Sequence, residues 1–330
     1  MLTTVCSFIS AAIVQGIPLL FGSTGEIITE KSGNLNLGIP GIMYVGAIGG
    51  VIGAFLYENG VGPANINPVL AILIPLAVSI LMSLAMGLIY CFLTVTLRAN
   101  QNVTGLALTT FGVGVGNFFG GSLIKLSSAD VPSIALSATS NYFKTPLPFA
   151  SKLGVVGEVL FSYSFLAYTA IVIALIAAYV LKNTRVGLHL RAVGESPATA
   201  DAAGINVTKY KYVATCLGSI IAGLGGLYYI MDYACGVWSN NGFGDRGWLS
   251  VALVIFSTWK PDVAILGSML FGALLIIQNY IPNLSMSAQE IIKMTPYLVT
   301  IIVLVIVSAR NKKENQPPAG LGLPYFREER

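Results

Sequence analysis

Apolar stretches of the length that one helix needs to cross a bilayer follow one another along almost the whole chain. This spacing restricts the fold more than any motif does. A helix rises ~1.5 Å per residue and the hydrocarbon core is ~30 Å thick, so about twenty consecutive apolar residues make one crossing. The test is met by Val5–Phe21, Leu35–Tyr57, Val69–Leu97, Val103–Ile124, Leu160–Leu181, Tyr212–Cys235, Leu249–Trp259, Val263–Ile281 and Pro296–Ala309, of which the seventh and ninth are short. The third contains Pro75, which removes a backbone hydrogen bond and predicts a tilted, kinked or partly broken span. Only 10% of the 330 residues are charged, and the mean hydropathy is +0.78; soluble domains carry roughly 25% charged residues. The expected fold is all-α, an integral membrane bundle of about nine transmembrane helices within a range of eight to ten, forming one transmembrane domain over residues 1–330.

Short loops rich in Lys and Arg stay in the cytoplasm. The richest polar loop, 182–211, carries Lys182, Arg185, Arg191, Lys209 and Lys211, and the tail 310–330 carries Arg310, Lys312, Lys313, Arg327 and Arg330. Placing both inside requires an odd number of crossings before the loop and an even number after it. Five and four satisfy that, with the N-terminus outside and the C-terminus cytoplasmic. Lys31, Arg98 and Lys260 then also fall inside, while Lys125, Lys144, Lys152, Arg246 and Lys293 remain outside. No basic residue precedes Val5, so the first stretch reads as a retained helix and not a signal peptide. The long external segment from Lys125 to Gly157, with Pro132, Pro146 and Pro148, is expected to pack along the surface of the cell membrane.

Several function classes lose support at this level. A net charge of +4 gives no reason to expect a nucleic acid partner. Cys6, Cys91, Cys216 and Cys235 stand singly, without the spacing of a metal site or disulfide framework. A GxxxxGK[ST] phosphate loop is lacking, so ATP and Mg are expected on a partner and no cofactor on this chain. Asp232 is the one acid inside the nine stretches, and the only histidine, His189, lies in the polar loop. Ion-coupled secondary transport, which uses ionisable groups at membrane depth, is therefore the weaker alternative. No constellation for an intramembrane enzyme is present.

The polar loop holds RAVGESPATADAAGINV, Arg191 to Val207. Ser196 is a good N-cap, Pro197 suits the first helical position, Ala198 to Ala203 are mostly helix formers, and Gly204 can close the helix in the left-handed conformation. A helix of two turns, ~10 Å long, is too short to persist alone in water and needs a surface to dock on. This loop resembles the coupling-helix region of ABC importer permeases of the branched-chain amino acid, ribose and nucleoside group. The similarity continues through YVATCLGSIIAGLGGLYY, Tyr212 to Tyr229. GEIITEKSGNLNLGIPGIM (Gly25 to Met43) and GDRGWLSVALVIFSTWKPDVAILGSMLFGAL (Gly244 to Leu274) look like the nucleoside, basic-membrane-protein-associated branch.

The resemblance implies a non-enzymatic permease subunit that takes up nucleosides, or else a sugar or branched-chain amino acid. It implies as partners ATP-binding cassette subunits, a second permease and an extracytoplasmic binding protein. It places ATPase coupling on Arg191, Gly194, Glu195, Ser196, Pro197, Ala203, Gly204 and Ile205. Ser196 stands where the family often has Asn, keeping the cap chemistry, and Pro40 where it often has an acid.

Candidate path residues come from polarity within or at the edge of spans. Asn34 and Asn36, in SGNLNLG, offer amides suited to a neutral base or sugar, or else cap the second helix. Asn102 opens the fourth span beside Gln101 and Thr104, again as path residue or cap, and Asn117 lies deeper in it. Gly112, Gly116 and Gly120 make one small-residue stripe, which permits close helix contact within the chain or with a second permease. Tyr228, Tyr229, Tyr233, Trp238, Phe243 and Trp248 form either an interfacial belt or a stacking surface.

Overall fold

A computed structural model describes residues 2–62, 65–126, 133–146, 154–282, 284–310 and 316–327. The long helices are α1 (Leu2–Glu30), α2 (Ile39–Val61), α3 (Pro68–Cys91, continued by a π turn Phe92–Thr96) and α4 (Gln101–Leu126). Short elements follow: strand β1 (Ser133–Ala135), α5 (Ser137–Phe143) and α6 (Gly154–Phe161). Then come α7 (Phe165–Asn183), α8 (Arg185–Glu195), α9 (Pro197–Ala202) and α10 (Val207–Tyr228, with a π turn Tyr229–Tyr233). Strand β2 (Val237–Ser239), α11 (Arg246–Phe256), α12 (Pro261–Ile276), α13 (Met286–Lys293) and α14 (Thr295–Arg310) complete the chain.

Eight helical segments among the described residues are long and apolar enough to cross a membrane. The seventh expected stretch is different: α11 has 11 residues, ~16 Å, about half a bilayer. One end of the bundle gathers the connections near Lys31, Arg98, Gly194 and Trp259 together with the tail. Gln101 accepts from Leu35 N, Tyr90 donates to Leu35 O, Trp259 donates to Glu30, and Arg98 lies 4.7 Å over Phe326. The opposite end holds the pairing of β1 with β2 and the contact of Glu58 with Thr139 N at 2.7 Å. Helix direction alternates between these ends. Half-helix α11 starts level with Gln15, in the middle of α1, and finishes at the Glu30 end, so by itself it covers only half of the bundle's depth. The start of α1 and the described tail thus lie at opposite ends of the bundle.

Helix α2 is apolar all round, and 89% of its most apolar window is buried, as expected of a helix enclosed on every side. It is surrounded by α3, α4, α10 and α11. Contact with α10 is backbone to backbone, where Gly46 faces Gly223 and Gly226 faces the Met43 carbonyl. Absence of side chains at such a crossing lets dispersion act over short distances. The stripe Gly112, Gly116 and Gly120 packs inside the chain, against Gly41, Tyr44 and Trp238 respectively. In α3, Pro75 does not break the helix; it sits against Gly53, and the 29-residue span, ~44 Å, exceeds the hydrocarbon core, an excess that tilting, kinking or local thickening of the bilayer accommodates. Of the segment expected outside, the parts within 127–132 and 147–153 lie outside the described residues, as do 311–315 and 328–330 in the tail.

One sequence expectation is corrected. Asp232 is not the sole acid at depth, because α1 runs on past Phe21 to Glu30 and buries Glu26 (0% exposed) and Glu30 (3%). The segment GSTGEIITE is too polar to face lipid, but it does not have to. Gly25 packs against the Gly218 carbonyl of α10 and Gly22 against Ser250 of α11, so neighbouring helices cover it.

Candidate functional site

The polar loop is built as two helices, not one. Thr184 caps α8 by accepting from Gly187 N at 3.1 Å, and the basic stretch after it forms an amphipathic helix. Ser196 then ends α8 and caps α9 at once, its Oγ accepting from Thr199 N at 3.4 Å, with Pro197 in the first turn. Gly204 has φ +83 and donates to Asp201 O at 2.9 Å, and Ile205 N donates to Ala200 O at 3.0 Å. This is the left-handed closure that favours glycine.

Burial divides the loop into an anchor and a face. Ala200, Val193 and Val207 form a small apolar cluster with Ile205, Tyr210 and Tyr325 packed on it. Arg191, Glu195, Ala198, Thr199, Ala202, Ala203 and Gly204 are exposed. The tail straps the loop from one side. Gly320 N donates to Gly194 O (2.9 Å), Ala319 N to Glu195 Oε2 (3.2 Å), Tyr325 Oη to Asp201 Oδ2 (2.8 Å), and Arg327 pairs with Asp201 at 3.3 Å. Gly194 also lies against the Lys31 carbonyl and Gly33. Beyond the end of α1, burial lowers the pKa of Lys31, and the Glu195 carboxylate opposes that shift. Replacing Ser196 with Ala removes one cap, which typically costs about 0.5–2 kcal/mol. The expected result is a small drop in thermal stability of the purified chain with a larger loss of uptake, because α9 has only 6 residues to hold its face in place.

Asn34 and Asn36 belong to this same end. Both are 0% exposed. Asn34 Nδ2 donates to Thr215 at 3.0 Å, Asn36 Oδ1 accepts from Gly38 N at 3.0 Å, and Asn36 N donates to Glu26 at 2.9 Å. The Glu30 carboxylate takes the Trp259 indole N–H. Trp259 and Thr258 before it both have positive φ, 56° and 51°, a conformation costing ~1–3 kcal/mol per residue that the surroundings must hold. The carboxylates tie α1, the following loop and the end of α11 together beside the polar loop at Gly194. Asn102 is exposed in the first turn of α4, and its neighbour Gln101 is the buried one, bonded to Leu35 N at 2.7 Å.

Asn117 occupies a second cluster, toward the opposite end. Tyr44 Oη donates to Asn117 Oδ1 at 2.6 Å and accepts from Asn241 N at 2.8 Å, while Asn117 Nδ2 donates to Asn241 Oδ1 at 3.1 Å. Trp238 (1% exposed) and Phe243 set their rings edge-on to Tyr44. Arg246 begins α11 here, its guanidinium 4.4 Å above Tyr229 and 5.3 Å from Tyr233. Such cation–π contacts hold an arginine in place without a carboxylate. Trp238 and Phe243 are therefore packed inside and not part of an interfacial belt. The segment 237–246 dips to the middle of the bundle, which makes α11 short.

A model of the family described as the branched-chain amino acid transport system permease component matches residues 8–307. The chain belongs to this family. Among curated relatives it is similar to the nucleoside ABC transporter permease protein NupC of Lactococcus lactis, 33% identical over 89% of this chain and 90% of that one. It is also similar to the guanosine permease NupQ of Bacillus subtilis, 28% identical over 98% and 97% of the two chains, and to a putative glucose permease of Haloferax volcanii, 29% identical over 97% of each. The permease is a multi-pass membrane protein of an ABC transporter. The charge pattern leaves Arg246 outside and gives Gln15 no role, though a Gln in the middle of an apolar span is itself a signal of function. Nothing local connects these two residues, which meet across 231 positions.

Proposed function

We propose that this permease is the membrane half of an ATP-driven importer of nucleosides. The observation that carries the coupling assignment is the exposed face of α9, made of small side chains and held by the apolar cluster at Ala200 and the tail strap. A groove on the ATPase subunit would take this face, and ATP and Mg would be bound there, since this chain carries no phosphate loop. Arg191, Gly194, Glu195, Ser196, Pro197, Ala203, Gly204 and Ile205 are the proposed coupling residues. The basic residues of the loop and tail support a cytoplasmic position for this end, with the N-terminus outside the cell membrane. A second permease completes the pore and an extracytoplasmic binding protein delivers substrate. Nucleosides are the favoured class because the Lactococcus and Bacillus relatives are named for them; a sugar is the second reading, favoured by the Haloferax relative.

Docking is tested by single cysteines in membrane vesicles. A cysteine at Ala202, exposed on α9, is expected to cross-link to the ATPase subunit, and one at Gly60, at the other end of the bundle, is not. Equal cross-linking from both, or none from Ala202, contradicts the assignment.

A further inference from the structure

A cavity of 470 Å³ opens beside the middle of α1, bounded also by the π turn of α10 and the end of α12. Its size falls within the ~300–1,000 Å³ of small-molecule sites. Gln15 and Asn279 contribute amides, Tyr233 and Tyr280 contribute rings, and Val14 and Ile276 form an apolar flank. Gln15 stands near mid-span and is 7% exposed. Its Oε1 accepts from Arg246 Nη2 at 3.3 Å. Arginine has only donors, so the amide oxygen must face it, and the two N–H donors of Gln15 are turned away. Among the described residues those donors meet no acceptor, and Arg246 has no carboxylate partner; it is held instead by Phe243 O at 2.8 Å and by two tyrosine faces. An amide kept at membrane depth, its oxygen engaged by Arg246 and its donors free beside a cavity, is placed to donate to a ligand that enters there.

We propose that this cavity is a substrate-binding site of the permease, in which Gln15 donates to a carbonyl oxygen of a heteroaromatic base and Tyr233 stacks on its face. Arg246 is a positioning residue that orients the Gln15 amide. The proposal rests on the nucleoside reading above and adds to it the class of base, one bearing a ring carbonyl, as guanosine, inosine and uridine do. Stacking is tolerant of which base is present, since every base has a π face. Discrimination therefore falls to Gln15. A carboxylate in its place has acceptors only, would pair with Arg246, and would present an acceptor to the cavity, which suits an amino group such as that of adenine.

The test uses cells that carry the complete transporter with this chain replaced by its variants, and measures competing uptake of tritiated guanosine and adenosine. In Gln15→Glu the guanosine-to-adenosine ratio is expected to fall about tenfold, the effect of one mismatched hydrogen-bonding pair on a base edge. Gln15→Asn, which withdraws the donors by one methylene without adding charge, is expected to raise KM for guanosine more than for adenosine. Tyr233→Leu is expected to raise KM for both about tenfold, and Tyr233→Phe to restore it. An unchanged ratio in both Gln15 variants overturns the assignment of Gln15, because a folding defect lowers both substrates alike. An unchanged KM in Tyr233→Leu overturns the stacking. Wild-type cells that take up neither nucleoside overturn the nucleoside reading itself.

Discussion

Gly204→Pro is expected to abolish uptake while the chain still inserts and accumulates in the membrane. Proline holds φ near −65°, and Gly204 has φ +83. The substitution also deletes the N–H that closes α9 on Asp201 O. With both losses the two-turn helix cannot end where it does, and the chain cannot enter α10 at Val207 in register. Nothing lies within 4 Å of a side chain at this position, so Gly204→Ala meets no clash and bears only the cost of a left-handed residue, ~1–2 kcal/mol. The expected order of uptake is therefore wild type, then Ala, then Pro at background. The amount of inserted protein, measured by immunoblot of washed membranes, is expected to be the same in all three. Uptake in Gly204→Pro equal to wild type would remove α9 from the mechanism.

A larger effect on the fold itself is expected from Gly226→Val. A β-carbon at Gly226 would stand inside contact distance of the Met43 carbonyl oxygen and 2.9 Å from Ala47 N, both backbone atoms of α2. No rotamer change relieves a clash with backbone, so α2 and α10 have to separate. Overpacking a core costs about 1–3 kcal/mol where side chains can yield, and here the figure is expected to lie above that range. Because α2 is the most enclosed helix, the separation reaches α3, α4 and α11 together. Gly226→Val is expected to leave no protein that survives detergent extraction as a monodisperse species. Gly60→Val, with nothing within 4 Å, is expected to behave as wild type. Equal recovery of both variants by size-exclusion chromatography would contradict the crossing.

What the sequence made legible follows from how local each cause is. The ends of α9 could be read because Ser196, Pro197 and Gly204 act on their own backbone within a few residues. The apolar spans could be read because lipid imposes length on any helix that meets it. The polar second half of α1 could not, because Glu26 and Glu30 are made tolerable by α10, α11 and the loop after α1, none of which is adjacent in sequence. Helix α8 was hidden inside a loop noted for its charges, since Arg185 and Arg191 lie on its exposed face while Leu190 and Val193 are buried. The half-length of α11 had one sign in the sequence, an apolar stretch too short to span. Its cause, the inward dip of 237–246 pinned by Tyr44 and Asn117, is a long-range event. Of the four asparagines singled out, Asn117 lies in that mid-bundle cluster. Asn34 and Asn36 are buried near the polar loop between α7 and α10, and Asn102 faces outward.

The carboxylates buried at Glu26 and Glu30 give the account its sharpest alternative, because acids at membrane depth also serve transporters that run on ion gradients. Their hydrogen bonds to Asn36 N and the Trp259 indole give them a structural role, joining α1 to the loop after it and to the end of α11. The decisive measurement is uptake of tritiated guanosine by cells carrying the complete transporter, with ATP depleted while the proton and sodium gradients are clamped at their normal values. For an ATP-driven importer, uptake is expected to fall to background and to return when ATP is restored. Uptake that persists without ATP and stops when the gradients are collapsed would contradict ATP-driven import.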